Sequence, residues 1–232
     1  MQNILERMAR KQKENLAFNI VALGDSVTNG AFDYAYDMDA VWHNRLKKML
    51  NGIFPELRIN MINSGINGDN AAGAYKRLER DVFAYNPDLV IVCLGLNNMD
   101  TPIEEMEDVF SKIFSELKDR NIPAIYMSPN MEDSYCNEKE INRLFESQWA
   151  IDYAEKLAKK QTSGEVDRLF EAAMQAARQN GAVICNAYKA WRNLSDAGTD
   201  TTKLLSNHIN HPTREMHTVF AAMLLVTILM EN

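Results

Sequence analysis

Five short apolar segments recur along the chain, and each is followed by a longer segment whose apolar residues are spaced as in a helix. Most of these short segments are unbroken apolar runs, which are typical of parallel strands buried on both faces. Their positions predict strands at residues 18–23, 57–62, 89–94, 124–127 and 182–185. The segment at 57–62 differs, because polar and apolar residues alternate loosely in it.

Apolar residues in the longer segments recur at intervals of three and four, the spacing of an amphipathic helix. This spacing predicts helices at residues 41–53, 75–83, 109–117, 166–177 and 213–230, the last beginning after Pro212. Alternating strands and helices imply right-handed crossovers between parallel strands. We therefore predict an α/β fold in which helices cover both faces of a five-stranded parallel sheet. Functional residues are expected beyond the carboxyl ends of its strands.

Residues 130–165 are polar and charged, and they are longer than a typical connection between a strand and a helix. The segment contains four aromatic residues, Tyr135, Phe145, Trp149 and Tyr153. Because aromatic side chains most often serve packing, the favoured interpretation is an extra surface helix followed by a turn. The functional alternative is a cap-like insertion over the site. No repeat or linker divides the chain, so we predict one domain over residues 1–232.

The chain has 25 basic and 32 acidic side chains, and its formal net charge is -7. Nucleic acids and anionic membrane surfaces attract clustered Lys and Arg, so this balance predicts neither as a partner. The N-terminal residues are charged throughout, unlike a signal peptide, and no run approaches the roughly 20 apolar residues of a membrane span. We expect a cytoplasmic protein; the alternative is a secreted protein whose signal has been removed.

Three cysteines, Cys93, Cys136 and Cys185, are widely spaced along the sequence. They form no CxxC pair, which would indicate zinc or redox chemistry, and no even set, which would indicate a disulfide framework. The cysteines therefore predict neither a metal site nor a disulfide.

A serine follows the first predicted strand, in the sequence Gly24-Asp25-Ser26. A serine at a strand-to-helix turn has an exposed hydroxyl and a backbone amide that is free to donate, as a catalytic nucleophile requires. A helix-capping serine is about as common at such turns. Ser26 alone therefore leaves both interpretations open.

The segments after the second and third predicted strands carry candidate hydrogen-bond donors for an oxyanion. Gly65 and Gly68 allow a sharp turn, and the amide of Gly68 could point at a developing negative charge. A phosphate-binding loop is the competing interpretation, although the spacing matches no nucleotide-binding glycine motif. Asn97 follows the third strand and offers an uncharged donor, while an ordinary turn also favours asparagine.

Two of the four histidines, His208 and His211, lie close together before Pro212. A nucleophilic serine needs a base with a pKa near neutrality, and the imidazole of histidine has one. Two histidines three residues apart could also bind a metal, but no cysteine lies nearby to complete the ligand set. General base chemistry is the favoured interpretation.

Taken together, the blocks at residues 24–27, 63–69, 95–98 and 208–212 resemble those of the SGNH hydrolases, the GDSL-type esterase and lipase superfamily. The resemblance covers nearly the whole chain and implies a flavodoxin-like, three-layer α/β/α sandwich. It implies a serine esterase that needs no cofactor and no metal. By position it implies four site residues: the nucleophile Ser26, the oxyanion-hole residues Gly68 and Asn97, and the general base His211.

The chain departs from the family pattern at three positions. Val27 replaces the usual leucine after the serine, and Asn98 replaces an aspartate of the third block. His208 stands where the family places the acid that orients the catalytic histidine. A neutral imidazole cannot stabilise an imidazolium as a carboxylate does. We expect a backbone carbonyl to orient the base in a Ser–His dyad; the alternative is a remote carboxylate such as Asp100 or Asp196.

Members of this family hydrolyse acetylated sugars, lysophospholipids, acyl-thioesters and simple esters. Without a long hydrophobic lid or a membrane-binding helix in the sequence, we expect short-chain, chiefly acetyl, esters of a small molecule or carbohydrate. The alternatives are a lysophospholipase or acyl-thioesterase, and a carbohydrate- or acyl-binding protein that has lost turnover. A flavodoxin-like nucleotide binder would need a phosphate loop after the first strand, where the chain instead has Asp25-Ser26. The sequence carries no signal for the oligomeric state.

Overall fold

Five parallel strands form one sheet in the order β2-β1-β3-β4-β5 in the computed structural model, which describes residues 3–33 and 35–231. The strands are β1 (Phe18–Gly24), β2 (Ile59–Gly65), β3 (Leu89–Cys93), β4 (Ala124–Met127) and β5 (Val183–Cys185). This is the flavodoxin-like strand order, and it confirms the predicted α/β fold. Its switch point lies between β1 and β3, so the segments after β1, β2 and β3 meet at one edge of the sheet.

Helices cover the sheet in two groups. The helices are α1 (Ile4–Lys13), α2 (Ser26–Asn29), α3 (Trp42–Ile53), α4 (Ala71–Lys76), α5 (Leu78–Asp81), α6 (Ile103–Asp119), α7 (Glu138–Phe145), α8 (Gln148–Thr162), α9 (Glu165–Gln179), α10 (Ala187–Asp196) and α11 (Arg214–Met230). Helix α11 contacts α1 and α3, whereas α6 contacts α4 and α9. Within the described ranges, no helix combines the length and apolar character needed to cross a bilayer.

Helix α6 illustrates how the sequence pattern builds a layer. Its buried side chains recur at intervals of three and four and are Met106, Phe110, Ile113, Phe114 and Leu117. Phe110 and Phe114 pack edge-on against Tyr126 of β4, with ring centroids 5.2 and 5.9 Å away. The apolar stripe of the helix is thus buried against the sheet, and its polar stripe faces solvent.

The structure differs from the predicted elements in several places. Strand β2 runs to Gly65, because its pairing with β1 continues to the end of that strand and an edge strand tolerates polar residues. The predicted helix at 75–83 is two short helices, α4 and α5, separated at Arg77, whose side chain is buried. Helix α10 was missed, although Ala187, Trp191 and Leu194 follow helical spacing.

Two helices, α7 and α8, occupy the segment at 130–165, where one surface helix was expected. Glu146 ends α7 in the left-handed region, with φ of 48°, and this lets the chain turn before α8 begins. Helix α8 buries one side and exposes Trp149 on the other.

Two adjacent carboxyl groups, Glu132 and Asp133, are buried just after β4. None of their four oxygens has a hydrogen-bond partner among the residues that the structure describes. Burial raises the pKa of Glu132 well above its ordinary value and that of Asp133 to about 8. Both groups are therefore held mainly as neutral acids in the folded protein at neutral pH, whereas they ionise in the unfolded chain.

This difference predicts that the folded state loses stability as pH rises from about 4, where unfolded carboxyls ionise, towards 8. Asp133→Asn removes one of these two ionisable groups. The melting temperature of this variant should therefore fall less between pH 5 and pH 8 than that of wild type. Over this pH range, we expect the fall in melting temperature to be smaller in the variant than in wild type by roughly 3–6 °C. Thermal melts of wild type, Asp133→Asn and the exposed control Asp196→Asn measure it. Equal pH dependence in all three would show that Asp133 titrates normally.

Candidate active site

The end of β1 places Ser26 at the first position of α2. A Cβ atom on Gly24 would lie 2.7 Å from the carbonyl oxygen of Cys93, and it would also clash with Thr28, so only glycine fits there. Asp25 caps α2 by accepting a hydrogen bond from the amide of Val27 at 3.0 Å. The capping role therefore falls to Asp25, which leaves the hydroxyl of Ser26 for another use.

His211 lies in the loop that precedes α11, and Asn207 holds this loop in shape. The side-chain oxygen of Asn207 accepts hydrogen bonds from the amides of Ile209, Asn210 and His211 at 2.9–3.0 Å. A bridge between Leu205 and Pro212 closes the loop at its base. The imidazole is therefore presented by a backbone with little freedom.

The side chains of Ser26 and His211 meet, with Oγ 2.9 Å from Nε2. The other ring nitrogen, Nδ1, lies 2.6 Å from the carbonyl oxygen of Phe32. A carbonyl can only accept, so Nδ1 carries the proton and Nε2 is left as the acceptor for the serine hydroxyl. This is the tautomer that a general base needs.

Burial lowers the pKa of His211 below its ordinary value, because desolvation disfavours the imidazolium. The hydrogen bond to the carbonyl of Phe32 and the negative charge of Asp33 oppose this shift. The ring is therefore neutral at neutral pH, yet two groups beside it favour the cation that forms when it takes a proton.

Arg214 contacts the loop that carries Phe32 and holds it in place. The guanidinium of Arg214 lies over the ring of Phe32, 4.6 Å from its centroid, and donates to Asp37 at 2.8 Å. His217 packs against the same ring, with centroids 4.7 Å apart. These contacts fix the carbonyl that stands where other serine hydrolases place a carboxylate.

Gly68 and Asn97 lie on the same cavity as Ser26. Gly68 adopts φ of 71°, in the region that favours glycine. The side-chain nitrogen of Asn97 donates to the carbonyl oxygen of Asp69 at 2.9 Å, which uses one of its two N–H groups. Asn98 has a structural role, because its buried side-chain oxygen accepts a hydrogen bond from the amide of Ala71 at 3.1 Å. An amide oxygen makes this bond as an aspartate would.

A buried arginine, Arg77, joins the segments that carry these groups. It donates to the carbonyl oxygens of Gly24 at 3.0 Å and Ser64 at 2.8 Å, and to the carboxylate of Asp69 at 2.7 Å. The ends of β1 and β2 and the loop beside Gly68 are therefore held by one side chain.

The cavity has a volume of about 420 Å³. Its lining residues are Ser26, Asp33, Asn67, Gly68, Asn97, Phe145, Trp149, Ala150, Tyr153, Asn207, Ile209, Asn210 and His211. The lining includes four carboxamides, three aromatic rings and one carboxylate, and no Lys or Arg of the described ranges is part of it. No cluster of three or more His, Cys, Asp or Glu suited to a metal occurs in residues 3–33 and 35–231.

A family model, that of the GDSL-like Lipase/Acylhydrolase family, matches residues 22–219. This range contains the ends of all five strands and the loop of His211. The chain belongs to this family. Membership confirms the resemblance drawn from the four sequence blocks and places the chain among the carboxylic ester hydrolases.

Individual relatives of this GDSL-like protein resemble it over different lengths. A stretch of 66 residues is 33% identical to an acetylxylan esterase from Geobacillus stearothermophilus, and it covers 27% of this chain and 30% of that esterase. A solved acetylxylan esterase structure from the same organism covers 91% of this chain and 94% of its own, at 18% identity and a TM-score of 0.67. A lipase/acylhydrolase from Enterococcus faecalis covers 90% and 94%, at 19% identity and a TM-score of 0.66. The two structures establish the shared fold.

The structure brings the four site residues that the sequence pointed to, Ser26, Gly68, Asn97 and His211, around one cavity of this GDSL-like fold. His208 does not line that cavity, and both ring nitrogens of His211 are engaged elsewhere, which argues against a histidine metal pair.

The two carboxylates named as remote acids lie elsewhere in the structure. Asp100 pairs with Lys156 and Lys160 at 2.5 and 3.4 Å, and Asp196 is exposed at the end of α10. Neither lines the cavity. The sequence pattern did not reveal Phe32, Asp33 or Arg77. A backbone carbonyl leaves no residue signature, but Asp33 and Arg77 are charged residues close to site blocks and could have been tested as candidates.

Proposed function

We propose that the chain hydrolyses short acyl, chiefly acetyl, esters of a carbohydrate through an acyl-enzyme on Ser26. The observation that carries this proposal is the 2.9 Å contact between Ser26 Oγ and His211 Nε2 inside an open cavity. This pairing of nucleophile and base has the geometry that serine hydrolases use.

In the first step, His211 Nε2 takes the proton of Ser26 as Oγ attacks the ester carbonyl. The amides of Ser26 and Gly68 and the free N–H of the Asn97 side chain would hold the oxyanion of the tetrahedral intermediate. The imidazolium then gives its proton to the leaving alcohol, and Ser26 keeps the acyl group. In the second step, His211 activates a water molecule, which releases the acid and restores the serine.

We propose that the base works in a Ser–His dyad without a triad acid. Phe32 supplies the orienting hydrogen bond through its carbonyl, at 2.6 Å from Nδ1. Asp33 supplies negative charge near the imidazolium, which favours the protonated ring. This division of roles speaks against the alternative of a binding protein without turnover, because that alternative rested on the missing acid and the Asn98 change.

The cavity lining supports an uncharged carbohydrate as the alcohol part of the substrate. Amide side chains and one carboxylate suit hydroxyl groups, and the absence of Lys and Arg among the described lining residues leaves a phosphate without a cationic partner. A lysophospholipid or a phosphorylated thioester carrier fits such a lining poorly. The local similarity to an acetylxylan esterase supports the same substrate class.

We further propose that residues 1–232 act as one hydrolase domain, in which the segment at 130–165 forms a wall of the site. Phe145, Trp149, Ala150 and Tyr153 of this segment line the cavity. A wall made of two helices limits the space for the acyl group and for its carrier.

A substrate series tests this proposal. The kcat/KM should be highest for acetyl esters among p-nitrophenyl esters of two, four and eight carbons, and a mono-O-acetylated methyl xyloside should be hydrolysed. A lysophosphatidylcholine and an acyl-coenzyme A thioester serve as comparisons and should be poor substrates. A preference for eight carbons, or for either phosphate-bearing substrate, would overturn the proposed substrate class.

A further inference from the structure

An exposed tryptophan stands on the rim of the active-site cavity. Trp149 is 71% exposed, more than any other aromatic side chain that the structure describes, and it lines the same cavity as Ser26 and His211. Large apolar side chains are usually buried, so a flat indole left open beside a nucleophile points to a ligand.

The indole of Trp149 is held in place by Tyr153, one turn further along α8. The two rings are nearly parallel, with 7° between their planes and 5.2 Å between their centroids. Tyr153 also lines the cavity and is mostly buried, so it supports the indole from one side. The opposite face of Trp149 is left as a preformed flat surface.

The polar groups around this surface are suited to hydroxyls. Asn67 and Asn210 place carboxamides on the cavity lining and Asp33 places a carboxylate there, whereas the carboxamide of Asn207 is used within the His211 loop. Carboxamides both donate and accept, and a carboxylate accepts strongly, so together they can satisfy a ring of hydroxyl groups. A flat apolar face edged by such groups matches one class of ligand: a pyranose has an apolar C–H face and a rim of hydroxyls.

We propose that Trp149, supported by Tyr153, is the platform on which a pyranose ring of the substrate's alcohol part stacks while its acetyl group reaches Ser26. This inference rests on the proposed function and adds the subsite that recognises the sugar. The partially positive C–H groups of the pyranose meet the negative face of the indole. An acyl chain lying on the same surface would leave one side in water and would use none of the surrounding amides.

The test compares wild type, Trp149→Ala and Trp149→Phe on two acetyl esters, a mono-O-acetylated methyl xyloside and ethyl acetate. Tyr85→Ala, an exposed aromatic outside the cavity lining, is the matched control. For the xyloside, Trp149→Ala should raise KM about 10-fold with kcat nearly unchanged, and Trp149→Phe should raise it less. For ethyl acetate, which has no ring to stack, Trp149→Ala should change kcat/KM much less than for the xyloside, and Tyr85→Ala should match wild type on both esters.

Three results would contradict the proposed stacking of a pyranose on Trp149. They are an unchanged KM for the xyloside in Trp149→Ala, an equal loss on both esters, and a change in the solution mass of that variant with unchanged xyloside kinetics. The last would assign Trp149 to an interface between copies of the chain. Failure of the proposed function gives a different result, because wild type would then hydrolyse ethyl acetate but not the xyloside, or neither ester.

Discussion

Replacing Ser26 by alanine is expected to lower kcat/KM for p-nitrophenyl acetate by a factor on the order of 10⁴ or more. The reason is that no acyl-enzyme forms without Oγ, and the cavity and its oxyanion donors are left to assist only direct attack by water. The fold should be unaffected, because the cap of α2 is supplied by Asp25 and not by the serine. Steady-state kinetics and a thermal melt of the purified variant measure both effects.

The matched control is Ser163→Ala, in the exposed turn between α8 and α9, which should keep wild-type activity. If the Ser26→Ala variant hydrolysed the ester at the wild-type rate, the serine would not take part in the reaction. The cavity would then have to supply another nucleophile.

Replacing His211 by alanine is expected to cost a similar factor, on the order of 10⁴ in kcat, because the serine hydroxyl then has no base. The double variant with Ser26→Ala should be no slower than either single variant, since residues that act as one unit have non-additive effects.

In wild type, the pKa of His211 lies below the ordinary imidazole value of about 6.5, so activity should persist below that pH before it falls.

His208→Ala is the informative control for His211. His208 occupies the position at which the family places its acid, but it does not line the cavity. Its replacement should change kcat/KM by less than about 3-fold, in keeping with the small effects of most substitutions outside a site. A large loss in His208→Ala, with His211→Ala still active, would reverse the two assignments.

The fold followed from the sequence to the extent that it depends on local patterns. Apolar runs, interrupted only by Asn19 in β1, placed β1, β3 and β4 to within a residue or two, because these strands are buried on both faces. The edge strand β2 and the interrupted helix at Arg77 were harder. The end of β2 is decided by its pairing with β1, and the break at Arg77 coincides with a side chain that turns into the protein.

The candidate site was likewise predictable where it depends on local sequence patterns and not where it depends on tertiary contacts. Ser26, Gly68, Asn97 and His211 could be named in advance because each follows a strand or precedes the last helix in a short, recognisable block. The partner of His211 Nδ1 could only be expected as some backbone carbonyl, since a carbonyl has no sequence signature. That this carbonyl belongs to Phe32 depends on how the loop after α2 folds back over His211.

The central claim is that Ser26 is the nucleophile, and covalent labelling tests it most directly. Wild type, Ser26→Ala and His211→Ala would be treated with a fluorophosphonate, weighed by intact mass spectrometry and mapped by peptide sequencing. We expect one adduct per wild-type chain, located on Ser26, with none in Ser26→Ala and much slower labelling in His211→Ala. An adduct on another residue, or an esterase that remains active and unlabelled, would contradict it.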